Sequence, residues 1–153
     1  MIKQRVYIDT SVIGGYYDIE FQEWSRKLFN EFQNSKKIAV ISDITLDELE
    51  LARKEIRDLL DIIPVDAKEF VINTEETEEL AGAYLKEGAI TKKYHEDALH
   101  IAIATIYKVD VLVSWNFKHI VNLERIRKYN AVNLRNGYAI VEIRNPREIL
   151  KTQ

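Results

Sequence analysis

The sequence has no cysteine, only two prolines and five glycines among its 153 residues, and no long apolar run. Without cysteine there can be no disulfide scaffold, no thiol nucleophile and no zinc site that needs a thiolate ligand. The absence is compatible with the cytoplasm, which is the compartment expected. Scarce glycine and proline exclude a collagen-like chain or a proline-rich linker and place most residues in regular elements. The longest stretch free of Asp, Glu, Lys and Arg runs only from Ala98 to Tyr107, far short of the roughly 20 residues that a membrane helix needs. No membrane span is expected. A secretory signal is not expected either, because Arg5 and Asp9 interrupt the N-terminus before an apolar segment can form. The length suits one domain over residues 1–153.

A strong charge of one sign is also missing, since 22 basic and 25 acidic side chains leave a net charge of -3. Spread evenly, that balance would speak against a nucleic-acid partner. It is not even. Asp43 to Asp61 holds seven acids and three bases, and Asp66 to Glu87 holds seven acids and two bases. Phe117 to Gln153 reverses the sign, with eight bases, Lys151 among them, against three acids. Lys118, His119, Arg125, Arg127 and Lys128 in this last quarter are candidates for phosphate contacts, although a solvated helix face is the plainer reading of such a run.

Arg5–Asp9, Lys37–Ser42 and Val109–Ser114 are short, β-branched and apolar without alternation, which marks strands covered on both faces and favours parallel pairing. Residues 69–73 form a weaker candidate, and Tyr138–Ile143 fits an edge strand. Helical spacing of apolar residues predicts helices over 20–35, 44–62 (with Pro64 at the exit), 74–86 (closed by Gly88), 97–107 and 117–129. Strands alternating with helices predict an α/β layer structure around a mainly parallel sheet.

Ligands of open α/β sheets bind at the carboxyl ends of the strands, and four polar residues map there. Asp9 ends the first strand, Glu48 follows the second, Asp97 opens the helix before the third, and Asn116 lies just beyond it. Each has a local alternative. Asp9 can cap a turn, Thr45-x-x-Glu48 fits a capping box, Asp97 fits a first-turn acid, and Asn116 fits a helix cap. Together, however, carboxylates gathered at one edge repel one another unless a cation intervenes, and hard oxygen ligands point to Mg²⁺ or Mn²⁺. A divalent ion at such an edge suits phosphodiester hydrolysis.

Val-Tyr-Ile-Asp9-Thr-Ser, Ser42-x-x-Thr45-x-x-Glu48-Leu, Asp97-Ala-Leu-His-Ile-Ala and Leu-Val-Ser114-Trp-Asn116-Phe, in this order, resemble the PIN domain, especially the VapC-like toxin ribonucleases. The resemblance implies a three-layer α/β/α domain in which Asp9, Glu48 and Asp97 hold Mg²⁺ or Mn²⁺ and hydrolyse RNA. It implies supporting hydroxyls at Thr10, Ser11 and Ser114, a protein antitoxin as partner, and a homodimer. The family's fourth acid falls on Asn116, an amide without charge that can reach the metal through water. That departure leaves open a weakly active or inactive PIN-like module that binds RNA or protein.

Other chemistries find less support. The histidines lack HExxH spacing, and His95, His100 and His119 are expected to be structural or superficial. There is no G-x-S-x-G elbow and no phosphate-binding P-loop; Gly14-Gly15 reads as a flexible turn. A phosphotransferase of the haloacid dehalogenase type would need an acid where Ser11 stands. Trp115 is expected in the core, with stacking on an unpaired base as the other option. Tyr16 and Tyr17 could line a groove or a dimer contact.

Overall fold

The computed structural model describes residues 2–150; Lys151 of the basic C-terminal quarter lies outside them. The three continuous apolar runs become the centre of one sheet: β1 (Gln4–Ile8), β2 (Lys37–Ser42) and β4 (Val111–Val113). Two weaker strands flank them, β3 (Lys68–Val71) and β5 (Ile143–Arg144). The order is β3-β2-β1-β4-β5, and all four pairings are parallel. The edge strand expected over 138–143 thus begins only at the last residue of that segment and runs for two residues, Ile143–Arg144.

Side-chain alternation turns each central strand into a two-faced element. Val6 and Ile8 join a core with Val12, Leu28, Phe29 and Phe32, contributed by α1 (Thr10–Gly14) and α2 (Gln22–Gln33). Tyr7, on the opposite face, joins Leu80, Tyr84, Ile101 and Tyr129, from α5 (Glu75–Lys86), α6 (His95–Ile106) and α7 (Leu123–Arg135). The result is the three-layer α/β/α arrangement expected. Leu28, Phe29 and Phe32 are fully buried, each worth about 1.5–3 kcal/mol relative to exposure. No helix among the described residues is long and apolar enough to cross a membrane.

Three local expectations fail. The helix expected over 44–62 is broken into α3 (Asp43–Leu49), α4 (Lys54–Arg57) and a 3-10 turn at Asp58–Ile62. Tightened backbone bonds, Leu51 to Glu48 and Ala52 to Leu49, close α3 and let the chain fold back to bury Leu59 and Leu60. The helix expected over 117–129 begins instead at Leu123, because Asn122 caps it by accepting from the Arg125 backbone N–H. Gly14 and Gly15 are not a flexible turn: they lie in α1 and the following 3-10 turn, and Gly15 is buried. A last helix, α8 (Pro146–Leu150), closes the described chain.

Register brings the strand ends level. Tyr7 pairs with Val40 and Leu112, and Ile8 with Val113. Asp9, Ser42 and Ser114 therefore emerge side by side at the carboxyl edge.

Candidate active site

Asp9 leaves β1 and caps α1, its Oδ1 accepting from the Val12 backbone N–H at 3.2 Å and from Ser11 Oγ at 2.7 Å. Ser114 Oγ donates to its Oδ2 at 2.5 Å. The capping alternative thus holds for this residue, which also lies at the carboxyl edge of the sheet. Asp9 is only 4% exposed, and burial pushes its carboxyl pKa up, while neighbouring His100 and the hydroxyl donors oppose the shift.

Glu48 is freed for the site by a different cap from the one its motif suggested. Ser42 caps α3, accepting from the Thr45 backbone N–H at 3.2 Å, so Glu48 does not turn back to cap its own helix. Its Oε1 accepts from Thr10 Oγ1 and meets His100 Nε2 at 3.0 Å. Burial opposes its charge, but these bonds hold its pKa below the usual carboxylate range. The neighbouring Glu96 moves the other way, raised first by its hydrogen bond with Glu48 and then by burial.

Asp97 lies in the first turn of α6. Its carboxyl is pushed up to about 6 by burial and by the charges of Asp9 and Glu48, against the opposing influence of His100. Asn116 sits beside it, with Nδ2 at 3.4 Å from Asp97 Oδ2. The Asn116 oxygen accepts from the backbone N–H groups of Lys118 and His119. It therefore caps a turn and presents its NH₂ to Asp97, which differs from the water-linked metal contact expected of this amide oxygen.

Asp9, Thr10, Ser11, Glu48, Asp97, His100 and Asn116 line one pocket of about 320 Å³. A neighbouring hollow of about 470 Å³ shares Glu48 and Asp97 and continues past Lys93, Tyr94, His95 and Glu96. No group of three or more His, Asp or Glu side chains among the described residues is close enough to enclose an ion unaided. Mg²⁺ keeps several waters and takes only one or two carboxylates directly, so the chemistry of the donors decides the fit. The raised Asp97 carboxyl identifies charge that a cation would offset. The donor set fits a hydrated, oxygen-preferring ion.

His100 went unrecognised in the sequence. It is 2% exposed, and its pKa is held well above the imidazole range: burial opposes the charged ring, but Tyr7, Glu48 and Asp9 outweigh it. A readable signal existed, since position 100 is three residues beyond Asp97 on α6 and so shares its face. His95 meets Glu78 at 3.2 Å and lines the neighbouring hollow rather than the pocket that holds Asp9.

The basic candidates scatter. Lys118 and Arg127 are exposed, Arg125 donates to the Ala89 carbonyl at 2.9 Å, and Lys128 pairs with Glu124 at 3.5 Å. His119 is buried against Tyr94, with ring centroids 3.7 Å apart. Trp115 belongs to the core: it stacks on Phe21 at 4.4 Å and donates from Nε1 to Ser25 Oγ at 2.9 Å.

Comparison with solved structures gives the architecture its likeness. VapBC2 from Rickettsia felis, bound to a DNA fragment from its promoter, superposes with a TM-score of 0.59 at 16% identity over 93% of this chain and 98% of that one. The fold is VapC-like. Mycobacterium tuberculosis VapC20, described as a sarcin-ricin loop cleaving toxin, gives 0.57 at 16% identity over 90% and 98%. No protein-family model matches the sequence, and no curated protein matches it either. The likeness is one of fold, and the side-chain contacts described above are this chain's own.

Proposed function

We propose that the chain is a metal-dependent endoribonuclease that hydrolyses RNA phosphodiester bonds, acting as the toxin of a toxin-antitoxin pair. The observation that carries this reading is the convergence of Asp9, Glu48 and Asp97 in one pocket, with Asp97 held at about 6. The VapC-like fold supports it, as does the sarcin-ricin loop cleavage ascribed to one structural neighbour. The paired composition of the other neighbour supports an antitoxin partner. The homodimer and the cytoplasmic setting remain part of this proposal.

When bound, Mg²⁺ or Mn²⁺ supplies Lewis acidity and lowers the pKa of water. Asp9 and Asp97 would hold it, directly or through water. Ser11 and Ser114 keep the Asp9 carboxylate in one orientation, and Thr10 does the same for Glu48. Glu48, an anion with Oε1 already engaged, orients the attacking water and accepts its proton. Attack on phosphorus then breaks the bond to the leaving ribose oxygen, which takes up a proton as it departs. Asp9→Asn should abolish Mg²⁺- or Mn²⁺-dependent cleavage of RNA with an unchanged circular dichroism spectrum. Cleavage at the parental rate would overturn the assignment.

The Asn116 amide favours one second reading, a catalytically weak PIN-like module that binds RNA or protein. Asn116→Asp separates the two: little change in rate fits a competent three-acid site, and a large gain fits an impaired one.

A further inference from the structure

His100 occupies a place in the pocket that the acidic mechanism does not use. Its Nε2 meets Glu48 Oε1 at 3.0 Å. Its Nδ1 lies 2.6 Å from the Tyr7 hydroxyl, which lies 2.7 Å from Ser42 Oγ. Ser42 Oγ is fixed in turn by the Thr45 backbone N–H at 3.2 Å and is 3.4 Å from Thr45 Oγ1. The relay thus starts at an acid in the pocket and ends in the buried first turn of α3, the helix that carries that acid.

The relay can run in either direction. If Ser42 donates to Thr45, Tyr7 donates to Ser42 and accepts from Nδ1–H, and an ionised Glu48 then requires a second hydrogen on Nε2. If Ser42 donates to Tyr7, Tyr7 donates to Nδ1, and the ring's hydrogen lies on Nε2. In both cases Nε2–H donates to an ionised Glu48. Thr10 donates to that same oxygen and neither of these donors engages Oε2, while Glu96 at the pocket rim is a third hydrogen-bond partner of the Glu48 carboxyl.

We propose that His100 is the positioning residue of this site, locking Glu48 through Oε1 so that Oε2 is the oxygen offered to the pocket. The inference rests on reading the pocket as a metal-dependent nuclease. Outer-shell partners of this kind typically affect activity or metal affinity by about 10- to 100-fold. The decisive contrast is between His100→Ala, which removes the donor, and His100→Gln, whose side-chain N–H can still reach Glu48. Tyr7→Phe cuts the relay while leaving the imidazole in place.

The experiment measures Mn²⁺ binding by calorimetry, alongside kcat and KM for an RNA oligonucleotide, in the parent and all three variants. His100→Ala should lower Mn²⁺ affinity or kcat by about 10- to 100-fold with KM little changed. His100→Gln should recover most of that loss, and Tyr7→Phe should fall between. Parental binding and kcat in a folded His100→Ala would overturn the inference, as would equal losses in the Ala and Gln variants. Should His100→Ala fail to fold, the contrast passes to His100→Gln and Tyr7→Phe: parental values in a folded Tyr7→Phe would overturn the relay. If the parent cleaves no RNA but Mn²⁺ affinity follows the predicted order, the nuclease reading fails and the positioning role stands. If Asp9→Asn is inactive while the His100 variants behave as the parent, the reverse holds.

Discussion

Asp97 shows what burying a carboxyl, with two other acids beside it, costs a folded chain. Its carboxyl moves from 3.8 to about 6 on folding, so between those values the folded protein holds a proton that the unfolded chain has released. Stability therefore falls as pH rises through this window and stays lower above it. The shift sets an upper bound of about 3 kcal/mol, reduced by solvent screening because the side chain is partly exposed. Asp97→Asn should raise the melting temperature by several degrees at pH 7.5 without divalent metal and leave it nearly unchanged at pH 4. Added Mn²⁺ should raise the melting temperature of the parent at pH 7.5 and not that of the variant, because ligand that binds the folded state stabilises it. Equal metal responses would remove Asp97 from the ligand set. At this scale the convergence of Asp9, Glu48 and Asp97 was legible because Asp9 follows a strand end, Asp97 lies in a helix's first turn and Glu48 sits in the short helix directly after the second strand, all of which the sheet brings to one edge. His100 was not, because it sits in an apolar helical run whose obvious reading is packing. The orientation of Asn116 was also hidden, since it depends on a turn at Lys118 and His119 that no periodicity reports.

Among the elements, the three central strands could be read from their unbroken β-branched runs, and the amphipathic α2 and α5 from spacing. The break after α3 could not: Glu50, Leu51, Ala52, Arg53 and Lys54 are all acceptable helix formers, and only the need to return to β3 decides the geometry. The start of α7 was recoverable from Asn122 as a cap, and its end from Gly137, which has φ +85. Gly15 was misread because a glycine pair suggests freedom, whereas here the requirement is space. An added Cβ would lie 2.6 Å from Ser25 Oγ and 2.9 Å from Trp115 Nε1, the acceptor and donor of one hydrogen bond. Gly15→Ala should therefore destabilise the fold by about 1–3 kcal/mol, measurable by urea denaturation. It should also slow cleavage, because the Trp115 backbone N–H donates to Ser11, which donates to Asp9. A variant as stable as the parent would show that Trp115 can move without cost.

For the molecule as a whole, the near-neutral charge of -3 conceals a division of labour that the fold reorganises. The basic C-terminal quarter does not form one phosphate-binding face: Arg125 and Lys128 have partners within the protein, whereas Lys118 and Arg127 are exposed and make no ion pair among the described residues. Two phosphate contacts on single-stranded RNA would give a log–log salt slope of about -1.4, and Lys118→Ala would lower its magnitude by about 0.7. Binding of an uncleavable RNA analogue across a salt series checks this; a slope steeper than about -3 would require a larger basic footprint than the one seen.

The position of β1 between β2 and β4 also sets an order of events during synthesis. The bond from Ser114 to Asp9 spans 105 positions, and such distant pairings close late because the intervening loop entropy must first be overcome. A growing chain already contains Asp9, Glu48 and Asp97 when it still lacks the strand that brings Ser114 and Asn116 beside them. The ribosome therefore releases the three acids well before it releases the strand that completes the pocket around them.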